Sequence, residues 1–288
     1  MGIANDTIDI LMITYNRAGY TKRALGALLD SCDGNMRVWV WHNGTHEPTL
    51  EIVRSYQNHP HFHHLELCPE NKKLREPTNW FWKKSDGAYV SKVDDDCILP
   101  KGWSQTLRRA HQDNPNFGAI GTWRFLEEDF VPNLAGKKTE TFNGGHQLMK
   151  NPWVQGSGYL LRRECQQQVG YIKESESFPG YLIRAGCAGW QNGWYFPFIR
   201  EEHMDDPRSK HCEIKTDEKF MENRPLSAIN DNVTTLAQWA ERVKYMAFLV
   251  QEANPDPKYH SGWRKKIKGV KSRTQRALGI KPKWRSAK

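Results

Sequence analysis

Apolar positions along the first hundred residues switch repeatedly between two spacings. "IDILMITYN" (8–16) is a short continuous apolar run, the pattern of a strand buried on both faces. Behind it, "RAGYTKRALGALLDSC" sets Tyr20, Ala24, Leu25 and Leu28 on one side of a helix. "MRVWVWHNG" predicts a second strand closed by a turn at Asn43-Gly44, "TLEIVRSYQNH" a helix, and "HFHHLELCPEN" a third strand. A helix beginning near Pro77 and a fourth strand in "AYVSKVDDD" repeat the unit. Strand alternating with helix predicts an α/β fold with a mostly parallel central sheet and helices on both faces. Ligands of such sheets sit beyond the carboxyl ends of the strands. Four polar clusters are therefore expected at one rim: "TYNR", "HNGT", "CPENKK" and "DDD".

Further along, "GWSQTLRRAHQDNP" predicts a helix, "GAIGTWRF" a strand, and "QGSGYLLRRE" a strand-helix junction. The stretch 170–212 carries too much Gly, Pro and Trp to predict regular elements throughout. Clean helical spacing returns at Leu236, Trp239, Val243, Met246 and Val250.

Charge changes the picture only once it is located. The net charge is +9, but residues 257–288 hold 12 Lys/Arg and no acid, which leaves 30 basic against 33 acidic residues over 1–256. A basic nucleic-acid groove is therefore not expected in the body of the chain. The tail places Trp263, Ile267, Val270, Ala277 and Leu278 on one helical face among its cations, a pattern suited to an anionic membrane surface or to a solvated basic end. No apolar run is long enough to span a membrane, and "MGIANDTIDILMITYN" lacks the basic flank of a signal peptide, so a cytoplasmic protein, peripheral on the inner face of the membrane, is expected. Six cysteines without a C-x-x-C pair are expected to be reduced thiols.

Asp94, Asp95 and Asp96 are the candidate chemistry. Adjacent carboxylates repel, and a divalent cation taking oxygen ligands from one or two of them relieves the repulsion. In an extended segment Asp94 and Asp96 point one way and Asp95 the other, so the first and third can share a ligand. The histidines at 59, 61, 63 and 64 alternate as on an edge strand and lack the Cys or carboxylate partners of a zinc site. Trp123, Trp153, Trp190 and Trp194 could stack on sugars or could be core.

The ordered set "MITYNR", "VWVWHNGT", the Asn71 to Asn79 segment, the D-x-D at Asp94–Asp96 with Pro100 and Trp103 behind it, "QGSGYLLRRECQQQVGYI" and His203 resembles the GT-A glycosyltransferases of family 2 type over roughly residues 8–206. The resemblance implies a GT-A fold, Rossmann-like, over 1–256, with a nucleotide-sugar half (about 8–103), an acceptor half (about 104–230) and a C-terminal helix (about 235–252), followed by the basic tail 257–288. It implies transfer of a sugar from a nucleoside diphosphate sugar to a glycan or glycolipid hydroxyl, with Mn2+ or Mg2+, in bacterial-type surface polysaccharide or glycoconjugate synthesis. Thr14, Tyr15, Arg17, His42, Asn43, Lys73, Arg75, Asp94 and Asp95 would then line the donor site, and Asp94, Asp96 and His203 would hold the metal. His42 stands where the family commonly has a base-contacting aspartate, and "SFPGYLIRAG" lacks the family's Glu-Asp pair. Glu176 and Asp205 are accordingly the candidate bases. The Gly/Trp-rich stretch 143–200 is expected to close over the substrates. Two rival readings are a catalytically silent glycan- or lipid-binding module and a nucleotidyltransferase, though "TYNRAGY" is not the Gly-rich triphosphate loop the latter needs.

Overall fold

The structure is a computed structural model describing residues 6–262, so the amphipathic face of Trp263, Ile267, Val270, Ala277 and Leu278 lies outside the described residues. Nine strands form one sheet in the order β3 (Phe62–Cys68), β2 (Met36–Asn43), β1 (Ile8–Thr14), β4 (Tyr89–Lys92), β9 (Tyr159–Arg162), β6 (Phe117–Gly121), β10 (Gln191–Phe196), β8 (Gln147–Lys150) and β7 (Thr139–Thr141). β3, β2, β1 and β4 are parallel, as the alternating pattern predicts. β9 runs antiparallel to both neighbours and β8 and β7 are antiparallel too, so the sheet is mixed. The register Thr14↔His42 and Leu11↔Lys92 brings the carboxyl ends of β1, β2 and β4 to one rim.

β1 explains its own sequence. Ile8, Ile10 and Met12 pack on one face with Tyr20, Ala24, Leu25 and Leu28 of α1 (Ala18–Asp30) and Leu107 of α4 (Trp103–Asp113). Leu11 and Ile13 pack on the other with Phe81 and Trp82 of α3 (Arg75–Lys84), Tyr181 and Leu182 of α7 (Phe178–Cys187), and Trp239 and Val243 of α10 (Leu236–Glu252). With both faces covered, a continuous apolar run is required in place of alternation. Each such aliphatic side chain, fully buried, contributes about 1.5–3 kcal/mol relative to exposure. α2 (Glu47–Ser55) adds Val53 to the first layer.

Two sequence expectations change here. The stretch 143–200 supplies β8, β9, β10, α6 (Arg163–Val169) and α7, so it is built into the sheet and its helical cover and not laid over the rim. Trp123 and Trp194 are fully buried, Trp123 stacking on Phe198 at 4.2 Å, and neither can face a sugar. All six cysteines are free thiols. Among the described residues no helix is long and apolar enough to cross a membrane.

Candidate active site

After β4 the chain turns at Asp95-Asp96 and resumes as β5 (Cys97–Ile98), which pairs antiparallel with β11 (Glu202–His203) in the register His203↔Cys97. The Met204 amide donates to the Asp96 carbonyl at 2.8 Å. This short ribbon, invisible to periodicity, carries residues 201–206 to the aspartates. One donor atom from each of Asp96, His203 and Asp205 lies within 4.8 Å of the others, and Asp94, Asp96 and Cys97 form an overlapping group. Asp94 and Asp96 thus share one side, although they meet across a turn at Asp95-Asp96 and not in the extended segment expected. Asp95 turns away, accepting from the Tyr15 amide at 3.3 Å and the Thr21 hydroxyl at 3.4 Å. Asp94 is held from behind by the Lys92 ammonium and donates its own amide to Ser157 Oγ at 3.0 Å.

Arg17 enters the cluster from the start of α1. One terminal nitrogen donates to Asp96 at 2.9 Å, and the other donates to the Asn223 carbonyl at 3.0 Å and lies 3.5 Å from Asp205. Burial pushes the carboxyls of Asp95 and Asp205 up to about 7, against the pull of Arg17. Burial acts on Asp96 in the same sense, but His203 and Arg17 overcome it and hold its carboxyl below the usual range. Burial, with the charge of Arg124, lowers the His203 imidazole and so favours the neutral, ligating form. Its Nδ1 is buried and has no hydrogen-bond partner among the described residues. An imidazole that clusters through one nitrogen with two carboxylates and whose Nδ1 is orphaned fits a divalent cation, because buried polar atoms otherwise find partners. The histidines of β3 make no such cluster among the described residues.

On the nucleotide side, Thr14 and His42 are buried and share a hydrogen bond of 2.9 Å between Oγ1 and Nδ1. Burial keeps His42 neutral. The Asn43 Oδ1 accepts from Trp41 Nε1 at 2.9 Å and from the Lys72 amide at 3.0 Å, and its Nδ2 donates to the Lys73 carbonyl at 3.2 Å. Asn43 therefore shapes the loop that presents Lys73, whose φ of 59° is left-handed and whose side chain is exposed at the rim. Arg75 follows as the first residue of α3. Tyr15 is 42 % exposed. Its ring lies over Gly44, where a Cβ would come within 3.3 Å and φ is +83°, so only glycine lets the two approach.

The candidate bases lie in different settings. Asp205 belongs to the Asp96–His203 cluster. Glu176, just before α7, is clamped by Arg184 at 3.0 and 2.7 Å, which lowers its carboxyl despite burial. Three groups support the site in roles that sequence reasoning did not assign. Glu201 is buried and accepts from Thr122 Oγ1 at 2.5 Å and from Ser157 Oγ, so Glu201 holds the serine that receives the Asp94 amide. Gly158, with φ +60°, gives this network room: a Cβ there would meet Glu201 and Thr122 oxygens at 2.1 and 2.2 Å. "QGSG" is therefore a tight turn that braces the aspartates. Arg124, just beyond the carboxyl end of β6, is the third, and the strand-end rule could have singled it out.

The sequence matches the family described as Glycosyl transferase family 2 over residues 9–165. No curated protein matches it. Among solved structures, the mannosyltransferase PcManGT from Pyrobaculum calidifontis, in complex with GDP-Man and Mn2+, superposes with a TM-score of 0.57 at 16 % identity, over 99 % of this chain and 85 % of that one. TarS 1–349 of S. aureus in complex with UDP-GlcNAc gives 0.52 at 17 % identity, over 84 % and 73 %. GalNAc-T7 with UDP, GalNAc and Mn2+ gives 0.54 at 10 % identity, over 69 % and 44 %. These are GT-A glycosyltransferases, and the architecture described above is theirs.

Proposed function

The chain belongs to glycosyl transferase family 2, and from that premise we propose that it moves a sugar from a nucleoside diphosphate sugar to a hydroxyl of a glycan or glycolipid with a divalent cation. The observation that carries the proposal is the convergence of Asp96, Asp205 and His203, with its orphaned Nδ1, at the rim where β1, β2 and β4 end. Asp96 and His203 would hold the cation with Asp94 beside them, leaving Asp205 for the acceptor. The mixed imidazole and carboxylate donors favour Mn2+ over Mg2+, which prefers oxygen alone. When bound, the cation supplies positive charge to the departing diphosphate.

The remaining roles are the chain's own. Tyr15, exposed on the Gly44 turn, offers a face to the base, and Lys73 and Arg75 offer cations to the phosphates. Thr14, His42 and Asn43 set the floor and the loop beneath them, and Asp95 fixes the Tyr15 backbone. Arg17 keeps the carboxylates compact and meets the ribose or diphosphate. We place donor recognition in about 8–103 and acceptor recognition in about 104–230. Asp205 is the carboxylate proposed to act on the acceptor side of the cluster, while the Arg184 clamp gives Glu176 a structural task. Both sugar nucleotides bound in the related structures, GDP-Man and UDP-GlcNAc, are nucleoside diphosphate sugars, which supports the donor class. The proposal extends to surface polysaccharide or glycoconjugate synthesis at a membrane's inner face, reached through the basic stretch 257–288.

The test is thermal unfolding with UDP or GDP, each with and without Mn2+. Binding at 100 times Kd adds about 2.7 kcal/mol. For a domain of this size that raises Tm by about 5–10 °C. If neither diphosphate raises Tm in the presence of Mn2+, the proposal is wrong.

A further inference from the structure

A cavity of about 250 Å3 borders the aspartate cluster, lined by residues 98–100 at the end of β5, 124–126 after β6, and 200–203 and 206 around β11, with neither Tyr15 nor Lys73 in its wall. His203 forms part of its wall, so the cavity abuts the proposed cation site. Two of its lining residues are arginines, Arg124 and Arg200. The three acids that share the wall each accept hydrogen bonds, Asp206 alone from a cation. Glu201 accepts from Thr122 and Ser157, Glu202 accepts from Ser209 Oγ at 2.5 Å, and Asp206 accepts from Arg208 at 2.8 Å. Arg124 is different. It is half-buried, it forms no ion pair or hydrogen bond among the described residues, and its Nε is fully enclosed. It approaches the Phe125 ring at 5.6 Å, and Asp96 and Asp205 feel its charge without pairing with it directly. Arg200 is exposed and reaches only Glu127, at 3.4 Å on the surface, a pair worth little.

A guanidinium taken partly out of water with no carboxylate paired directly to it is costly, and it is the group best shaped for a planar or tetrahedral oxyanion. The donor's place is over β2, β1 and β4. The cavity sits beyond β4 in the sheet order, at the end of β6, where the second substrate must approach. We propose that Arg124, assisted by Arg200, binds a phosphate group on the acceptor, so that the enzyme selects a phosphate-bearing glycan or lipid-linked acceptor over a neutral one. The identity of the anion as acceptor rests on the transferase reading; the anion site itself does not.

The experiment uses the full chain saturated with UDP or GDP and Mn2+, so that the donor site is filled, and measures binding of glycerol 3-phosphate by calorimetry with glycerol as the neutral control. Glycerol 3-phosphate is expected to bind and glycerol not, with Arg124→Gln weakening the affinity at least tenfold and Arg200→Gln about threefold. The affinity for the nucleotide with Mn2+ should stay within twofold in Arg200→Gln. Arg200 is exposed, so its variant folds even if Arg124→Gln does not, and Arg124→Lys should retain part of the affinity. If glycerol 3-phosphate fails to bind, or binds the variants as it binds the wild type, the site is refuted. If Arg124→Gln loses nucleotide affinity instead, Arg124 serves the donor diphosphate and the acceptor assignment falls. If no nucleotide binds the wild type but Arg124-dependent glycerol 3-phosphate binding persists, the transferase reading fails and the anion site stands.

Discussion

Replacing Arg17 with Gln should unfold the protein at a markedly lower temperature and make that temperature unusually responsive to Mn2+. Arg17 lies 2.9 Å from Asp96 and 3.5 Å from Asp205, and the three side chains are 17, 12 and 2 % exposed. Removing one member of a buried ion-pair group costs about 3–5 kcal/mol, because the remaining charges stay buried without a partner. Asp205, already raised to about 7 by burial, can shed its charge by taking a proton, which places the cost near the lower end, about 3 kcal/mol. At about 2–4 °C per kcal/mol, Tm should fall by about 6–12 °C. A divalent cation among the same carboxylates replaces the lost charge, so Mn2+ should raise Tm more in Arg17→Gln than in the wild type. Differential scanning fluorimetry in metal-free buffer and in millimolar Mn2+ measures both quantities. A variant that melts within about 2 °C of the wild type and gains nothing extra from Mn2+ would refute the account of the cluster.

Further outcomes follow from neighbouring groups. Asp205→Asn should cut turnover at least about 10²-fold with the fold intact, whereas Glu176→Gln, which breaks the Arg184 clamp, should lower Tm but keep turnover within about threefold; steady-state rates and melts on both variants separate the cases. The Asp205 carboxyl titrates higher in the folded state, about 7, than its ordinary value near 3.8, so the native protein binds the extra proton between those limits and this group's stability contribution falls as pH rises through them. Burial lowers His42, His63, His111 and His203, which act in the opposite sense, so the quantity to follow is the urea-unfolding difference between the wild type and Asp205→Asn without metal. The wild type should lose ground by up to about 1.4 kcal/mol per pH unit from pH 4 to 7, and a constant difference would contradict the assignment. Gly158→Ala should destabilise by about 2–6 kcal/mol in chemical denaturation, from left-handed strain plus collision with Glu201 and Thr122, and a cost below about 1 kcal/mol would show that the network is loose.

The parallel half of the sheet was readable because β1 and β2 are buried on both faces and the helices between them keep one apolar stripe. The rim clusters were readable for the same reason, since a known strand order fixes where loops emerge. β9 was expected as a strand, but its reversal was not, because a four-residue strand carries no directional signal. α7 and β10 lay within a stretch rich in Gly, Pro and Trp whose packing against the sheet, and not its propensity, makes it regular. At the site, Asp94 and Asp96 were expected together from an extended segment, whereas they meet across a turn at Asp95-Asp96. The pairing of β5 with β11, which delivers Asp205, is a tertiary contact between segments about a hundred residues apart and leaves no periodic trace. Nor could spacing reveal that Asn43 is spent on the Lys72–Lys73 loop or Glu176 on Arg184, since both depend on which neighbour reaches the side chain first.

The most direct test of the central claim is release of nucleoside diphosphate from UDP- and GDP-sugars by the wild type and by Asp96→Asn, each with Mn2+ and with EDTA. The account predicts release by the wild type that requires the cation and falls at least about 10²-fold in the folded Asp96→Asn protein, because a neutral amide is a poor ligand for a hard cation. Release undiminished by EDTA, or an Asp96→Asn variant that turns over with Mn2+ as the wild type does, would contradict it.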